Sequence, residues 1–336
     1  MTTGIVAGQR PPTDLPRRIK TTLHPTDRIF HGVSRVIGAL VLVLTGAIGL
    51  FLALQMVPVV HHYGFKFFTT QDWNPEQNVV GVAAAIVGTI EVALIALAVA
   101  FPLALMTALF ITEYAPPQVR STLVALVDLM AAVPSIVYGL WGFYMLQPQA
   151  THVARWLAEY FSFLPIFKVD TDAHAALWQQ TRFTASAFIT GLTVAMMVTP
   201  LACAVMRGVF AQAPPGEREA ALALGGTRWG VIRSVVLPFG RGGIIGGTML
   251  GLGRALGETI AVLMVLSQIY KINLRPLQVG GLTVSSLIAN RFGEATALQL
   301  KALLAAGFVL FVMTLAVNTI AGVIVTRSRS GAATEI

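Results

Sequence analysis

Charge is what this chain most lacks. Asp, Glu, Lys and Arg make up 11% of its 336 residues, while 55% are hydrophobic; soluble domains carry roughly 25% charged residues. So few charges cannot cover a globular surface, which points to an integral membrane protein. The single cysteine, Cys203, lies in an apolar segment, so no intrachain disulfide forms and no thiolate metal site is expected. No Gly-Lys pair occurs anywhere, which excludes the phosphate cradle Gly-x4-Gly-Lys-Ser/Thr and ATP hydrolysis by such a loop. His-Glu-x-x-His and Gly-x-Ser-x-Gly are missing too, and the six histidines form no ligand-spaced set. The adjacent pair His61–His62 reads as interfacial rather than metal-binding. The first 35 residues are polar and basic and have no apolar signal core, so no cleavable signal peptide is expected.

Long apolar runs are what the chain has in abundance. A helical span takes about 20 residues, and six segments suffice, near 36–60, 82–111, 121–146, 183–206, 242–267 and 302–326. The expected fold is an all-α, six-helix transmembrane domain over 36–326, with tails at 1–35 and 327–336. Glu91 and Pro102 in the second segment predict a tilt, a kink or an interfacial first turn. Lys and Arg set the orientation. With the N-terminus inside, fourteen of the 23 Lys and Arg residues fall in cytoplasmic segments and eight outside, leaving Arg254 in the membrane. Both termini are then cytoplasmic, and the net charge of +8 reflects topology rather than a nucleic-acid surface.

Three connecting segments fall outside, at 61–78, 148–182 and 268–300. The first mixes aromatics with His61, His62 and Lys66, as an interfacial segment does. The second is amphipathic around Trp156 to Phe163 and polar after Val169. The third contains "GGLTVSSLIANRF", which fits either a short surface helix or a re-entrant segment.

The cytoplasmic stretch 208–241 is the most informative. Pro215 and Gly216 stop the fourth span from continuing. "EREAALAL" then reads as a short helix, rich in good helix formers with acid in its first turn. Gly225 and Gly226 end it, glycine being the expected residue at a left-handed cap. Thr227 is the N-cap candidate of a second short helix, which Pro238 is expected to stop before the fifth span. This stretch resembles the EAA loop of ABC-importer permeases: Glu-Ala-Ala, three residues, Gly, nine residues, Ile, one residue, Leu-Pro. Glu219, Ala220, Ala221, Gly225, Leu237 and Pro238 match, and Val235 stands where the pattern has Ile. The resemblance implies a type I importer fold whose loop seats in a cleft of a partner ATPase. "ITEYAPP" (111–117), "VPSIVYGLWG" (133–142) and "GLGRALGETIAVLMV" (251–265) are similar to the permeases of the phosphate-specific transport (Pst) family. "TDRIFHG" (26–32) and "YGFKFFTTQDWNP" (63–75) favour its PstC type over its PstA type. What this implies is a non-catalytic permease that binds no cofactor itself. Its partners would be a second, PstA-like permease, a PstB-like ATPase dimer consuming ATP, and an extracytoplasmic PstS-like phosphate-binding protein, all in a lipid bilayer.

A charge at the centre of a span costs about 3 kcal/mol on insertion scales, so its default reading is functional. On a continuous helix, Arg254 and Glu258 lie within roughly 40° of each other, and Gly243, Gly247 and Gly251 share that side. Such a glycine series lets another helix or a substrate approach the backbone, like one wall of a polar path. Arginine suits a tetrahedral oxyanion because its fork offers fixed donors and stays charged. Glu258 is expected to orient that fork and balance its charge; a buried pair that only fixes helix packing is the competing reading. Glu91 fits either function or packing. Asp128 fits the cytoplasmic end of the third segment or a break in it. Ser135 and Tyr138 fit hydroxyl donors to phosphate equally with packing roles, and Trp141, Phe143 and Tyr144 fit an outer aromatic belt. Other functions compatible with the residues are a permease for phosphonate, sulfate or molybdate, a stand-alone secondary transporter or channel, and a membrane sensor. The EAA loop would have no partner in a stand-alone transporter or channel, and the absence of an attached signalling domain counts against a sensor alone.

Overall fold

The structure is a computed structural model that describes residues 25–169 and 182–328. The expectation of a polar stretch after Val169 therefore falls almost wholly outside the described residues. Two units divide at Leu50. The first is represented by the apolar start of helix α1 (Pro25–Tyr63), with Asp27 in its first turn, where an acid complements the positive end of the helix dipole.

The second unit holds the remaining elements. A short helix α2 (Lys66–Thr69) leads into a hairpin, β1 (Trp73–Asn74) and β2 (Val79–Val80), with Trp73 opposite Val80. Helix α3 (Ala83–Leu109) carries Pro102 inside it and continues into a π-helical turn, Phe110–Tyr114. Then come α4 (Pro117–Ala132), α5 (Ser135–Trp141), a second π-helical turn at Gly142–Leu146, and α6 (Gln147–Tyr160). Helix α7 (Ala187–Phe210) is followed by α8 (Pro215–Ala223) and α9 (Arg228–Val231), a third π-helical turn at Ile232–Val236, and α10 (Leu237–Leu256). The chain closes with α11 (Ile260–Val265), α12 (Val284–Arg291) and α13 (Ala297–Ser328).

Small residues let the central helices approach. Ala96, Ala100, Ala104 and Ala108 are fully buried along α3 at a spacing of four, which makes one helical stripe. Opposite them, a Cβ on Gly191 of α7 would fall 2.5 Å from the Ile95 side chain. Without a water-driven force between spans, such close backbone contact supplies the packing energy. Threonine hydroxyls in these helices, such as Thr89, Thr190 and Thr193, donate to the carbonyl four residues back. They are thus satisfied locally and cost the bundle little.

Five helices among the described residues are long and apolar enough to cross a membrane, or six if α4 and the α5–α6 rod count as one bent span. The third apolar segment is broken, one of the two readings its sequence allowed, and two expectations need correction. The third segment, 121–146, is not straight: the two parts meet at 92°. Pro134 biases Val133 to extended backbone, φ −65° and ψ 130°. The Tyr138 hydroxyl donates to Met130 O across the corner at 2.8 Å, so its donor is committed to the fold rather than to phosphate. Pro238 does not stop the helix before the fifth span either. The π-helical turn just ahead of it shifts the hydrogen-bond register, with Leu237 N donating to Ile232 O, and absorbs the missing donor. Helical backbone thus runs from Arg228 to Leu256. The fifth segment, 242–267, is in turn interrupted: helix ends at Leu256 and restarts at Ile260.

The segment 268–300 is also resolved. Its helix α12 begins with a capping box between Thr283 and Ser286 and buries Val284, Ser285, Ser286 and Leu287, so its first turn is core rather than surface.

Candidate substrate path and coupling surface

Helix α8 ends in the geometry its two glycines predict. Gly225 sits at φ +83°, Gly225 N donates to Leu222 O at 2.9 Å, and Gly226 N donates to Ala221 O at 3.1 Å. This pairing of bonds is the Schellman motif, which needs a left-handed residue and so favours glycine. Thr227 caps the next helix, accepting from Gly230 N at 3.1 Å. Arg218 and Ala221 face the rest of the chain, the former bonding Glu113 and Phe210 O. Glu219 and Ala220 are exposed, as are Leu222, Trp229 and Leu224, the last 90% accessible. A short helix pinned on one side, with exposed Leu222 and Leu224 beside Glu219 on the other, is a surface shaped for a partner.

Arg254 and Glu258 do not form the pair expected from a continuous helix. Gly257, Glu258 and Thr259 lie in the interruption, and no ion pair joins the two residues among the described ones. Glu258 is 7% exposed and its Oε1 accepts from Ala261 N at 3.1 Å, capping the first turn of α11. Its backbone oxygen accepts from the Ser285 hydroxyl at 2.6 Å. That hydroxyl is 3.3 Å from Thr283 Oγ1, and Thr89 accepts from Val284 N at 2.9 Å. The carboxylate and its neighbouring hydroxyls therefore form a polar seam that holds the interruption open.

Arg254, by contrast, is exposed in the last turn of α10. Its Nη2 makes a long hydrogen bond to Met197 Sδ at 3.7 Å. A cation at a helix C-terminus meets the partial negative charge of the unpaired carbonyls. No carboxylate among the described residues forms an ion pair with Arg254.

The glycine stripe packs helices. A Cβ on Gly243 would sit 2.5 Å from Val209, one on Gly247 2.9 Å from Ala202 O, and one on Gly251 2.6 Å from Val198. All three neighbours belong to α7, so the stripe is a seam between α10 and α7 and not a wall open to substrate. Glu91 is half-buried in α3 and makes no side-chain hydrogen bond or ion pair among the described residues.

Two ion pairs at the coupling-loop end escaped the sequence reading. Arg207 Nη2 donates to Asp128 Oδ1 at 3.0 Å and Oδ2 at 3.3 Å, tying α7 to α4. Arg218 Nη1 lies 3.2 Å from Glu113 Oε1 but bonds Oε2, at 3.3 Å. The signal was present, since Glu113 stands in "ITEYAPP" and Arg207 and Arg218 at turn boundaries. Counting basic residues for topology gave them no individual partners.

Residues 100–330 match the family described as binding-protein-dependent transport system inner membrane component. The phosphate transport system permease protein PstC of Xylella fastidiosa is 41% identical over 266 residues, 79% of each chain. PstC 2 of Mycobacterium tuberculosis is 37% identical over 317 residues, 92% of this chain and 96% of that one. Among solved structures, a bacterial ABC transporter involved in the import of the acidic polysaccharide alginate aligns with TM-score 0.51 and 18% identity. The alignment covers 89% of this chain and 99% of that one, a likeness of fold.

Proposed function

We infer how this chain works from the family it belongs to, the inner-membrane components of binding-protein-dependent transport systems and, among them, the PstC permeases. It is a multi-pass permease subunit of a phosphate ABC importer. An ATPase and a binding protein are its partners in that role. We assign the ATPase to a PstB-like dimer using ATP, the binding protein to a PstS-like one, and the other half of the membrane core to a PstA-like permease. Both termini and the coupling loop lie in the cytoplasm in this reading. A cysteine at position 225 should label only from the cytoplasmic side, and labelling from outside would overturn the orientation.

In this mechanism Glu219, Ala220, Ala221 and Gly225 form the contact that receives the motion of the ATPase. Arg254 touches phosphate in transit. The observation that carries this is an exposed guanidinium with no carboxylate partner among the described residues, on a helix that starts at the coupling loop. The fork can donate to two phosphate oxygens at once. The carbonyls at the end of α10 weaken its net attraction, which allows release. Glu258 keeps the backbone bent so that Arg254 stands at a helix end.

The test is uptake of radiolabelled phosphate by cells in which this complex is the sole route. Excess sulfate or molybdate should leave uptake unchanged. Suppression by either equal to that by unlabelled phosphate would overturn the phosphate reading.

A further inference from the structure

A second group of arginines lies apart from Arg254, at the end of the bundle that carries the coupling loop. Arg120, Arg207 and Arg218 line a cavity of about 280 Å³, together with Thr112, Gly208 and Ala211 among others. Its volume is close to the lower end, about 300 Å³, of ordinary small-molecule sites. No acid lines it. Asp128 and Glu113, which pair with Arg207 and Arg218, are not among the lining residues. Three guanidinium groups against two carboxylates leave an excess positive charge around a space bordered only by cations, small residues and apolar groups.

The donors are also incompletely used. Arg207 Nη1 and Arg218 Nε are buried and have no hydrogen-bond partner. Arg120 gives Nη2 to Thr112 O at 2.6 Å, and Arg218 gives Nη2 to Phe210 O at 2.6 Å. Buried charged donors left unmet are costly and call for a specific explanation. An anion with several oxygen acceptors in the cavity neutralises the excess charge and draws on whichever fork nitrogens of the three lining arginines face that space. Three planar forks around one space suit a tetrahedral oxyanion better than a single carboxylate.

We propose that this cavity is an oxyanion-binding site, distinct from the transport path, that takes a phosphate group. The group belongs to inorganic phosphate or to the headgroup of an anionic lipid, two sources with the same chemistry. Arg218 lies on α8, Arg120 on α4 and Arg207 on α7, so an occupied site ties the coupling helix to the bundle and makes α8 harder to displace. That the site faces the cytoplasm rests on the proposed topology; the binding itself does not.

The test uses the full transporter in lipid discs, where both faces are open to solvent. A Cβ on Gly208 meets nothing within 4 Å and Gly208 lines the cavity, so Gly208→Cys places a thiol there without crowding. The natural Cys203 is buried. The rate of thiol labelling at 208 is followed in neutral phosphatidylcholine discs and in discs containing phosphatidylglycerol. Slowing by inorganic phosphate in neutral discs supports a free-phosphate site. Slowing by phosphatidylglycerol alone supports a headgroup site. Either protection should fall about tenfold in Arg120→Gln, the expected scale for losing a charge-assisted bond, and largely persist in Arg120→Lys. No protection by either source overturns the proposal. So does equal slowing by chloride at matched ionic strength, or protection unchanged in Arg120→Gln. Labelling requires no transport, so a failure here leaves the transport reading intact.

Discussion

At the scale of single residues, the two charges of the fifth apolar segment have different work. Arg254 is exposed and spends its fork on a weak sulfur contact, whereas Glu258 is buried and caps a helix. Arg254→Gln should therefore abolish phosphate uptake while the complex still assembles and hydrolyses ATP. Arg254→Lys should recover only part, because a point charge cannot reproduce the fork. Glu258→Gln keeps an acceptor for Ala261 N and should leave assembly intact with a smaller loss of uptake. Glu258→Ala removes the cap, a cost of about 1 kcal/mol, and should lower thermal stability in detergent. Wild-type uptake in Arg254→Gln would exclude the substrate contact. A collapse of assembly in Glu258→Gln would show that its charge, rather than its acceptor oxygen, holds the interruption.

At the scale of elements, what could be read from the sequence is what neighbouring residues decide. The stop of α8 at Gly225 and the cap at Thr227 follow from glycine's tolerance of positive φ and from a hydroxyl three residues ahead of an amide. Expecting Arg254 to face Glu258 presumed an unbroken helix. The interruption depends on Ser285, 27 residues further on, donating to Glu258 O, and no local pattern reports that bond. Pro238 misled for a related reason, since a π-helical turn can take up a proline that would otherwise end a helix. The coupling element carries its own prediction. Gly225 sits at φ +83° with open space where a Cβ would go, so Gly225→Val is penalised by backbone conformation and not by a clash, roughly 1 kcal/mol or more. The variant should insert normally yet lose stimulation of ATP hydrolysis by loaded binding protein. Normal stimulation would show that the loop end is not part of the drive contact.

At the scale of the whole molecule, the interruption at 257–259 separates what can move together from what cannot. From Arg228 to Leu256 the chain is a helical rod of 29 residues, about 40 Å long at 1.5 Å per residue. The coupling loop lies at one end and Arg254 at the other. Beyond the break, α11 is held by other neighbours: a Cβ on Gly139 of α5 would come 3.0 Å from Ala261 Cα, and Ser285 grips Glu258 O. A push that moved this rod as one piece would carry Arg254 with it, whereas Glu258 is fastened to α11 and to Ser285. Spin labels at 228 and 252 should keep their separation through the nucleotide cycle, while labels at 252 and 263 change theirs; constancy of both would show a fixed joint. On the proposed reading, in which Arg254 meets the anion, a stroke that moved the rod would also move positive charge, an electrical event as much as a mechanical one.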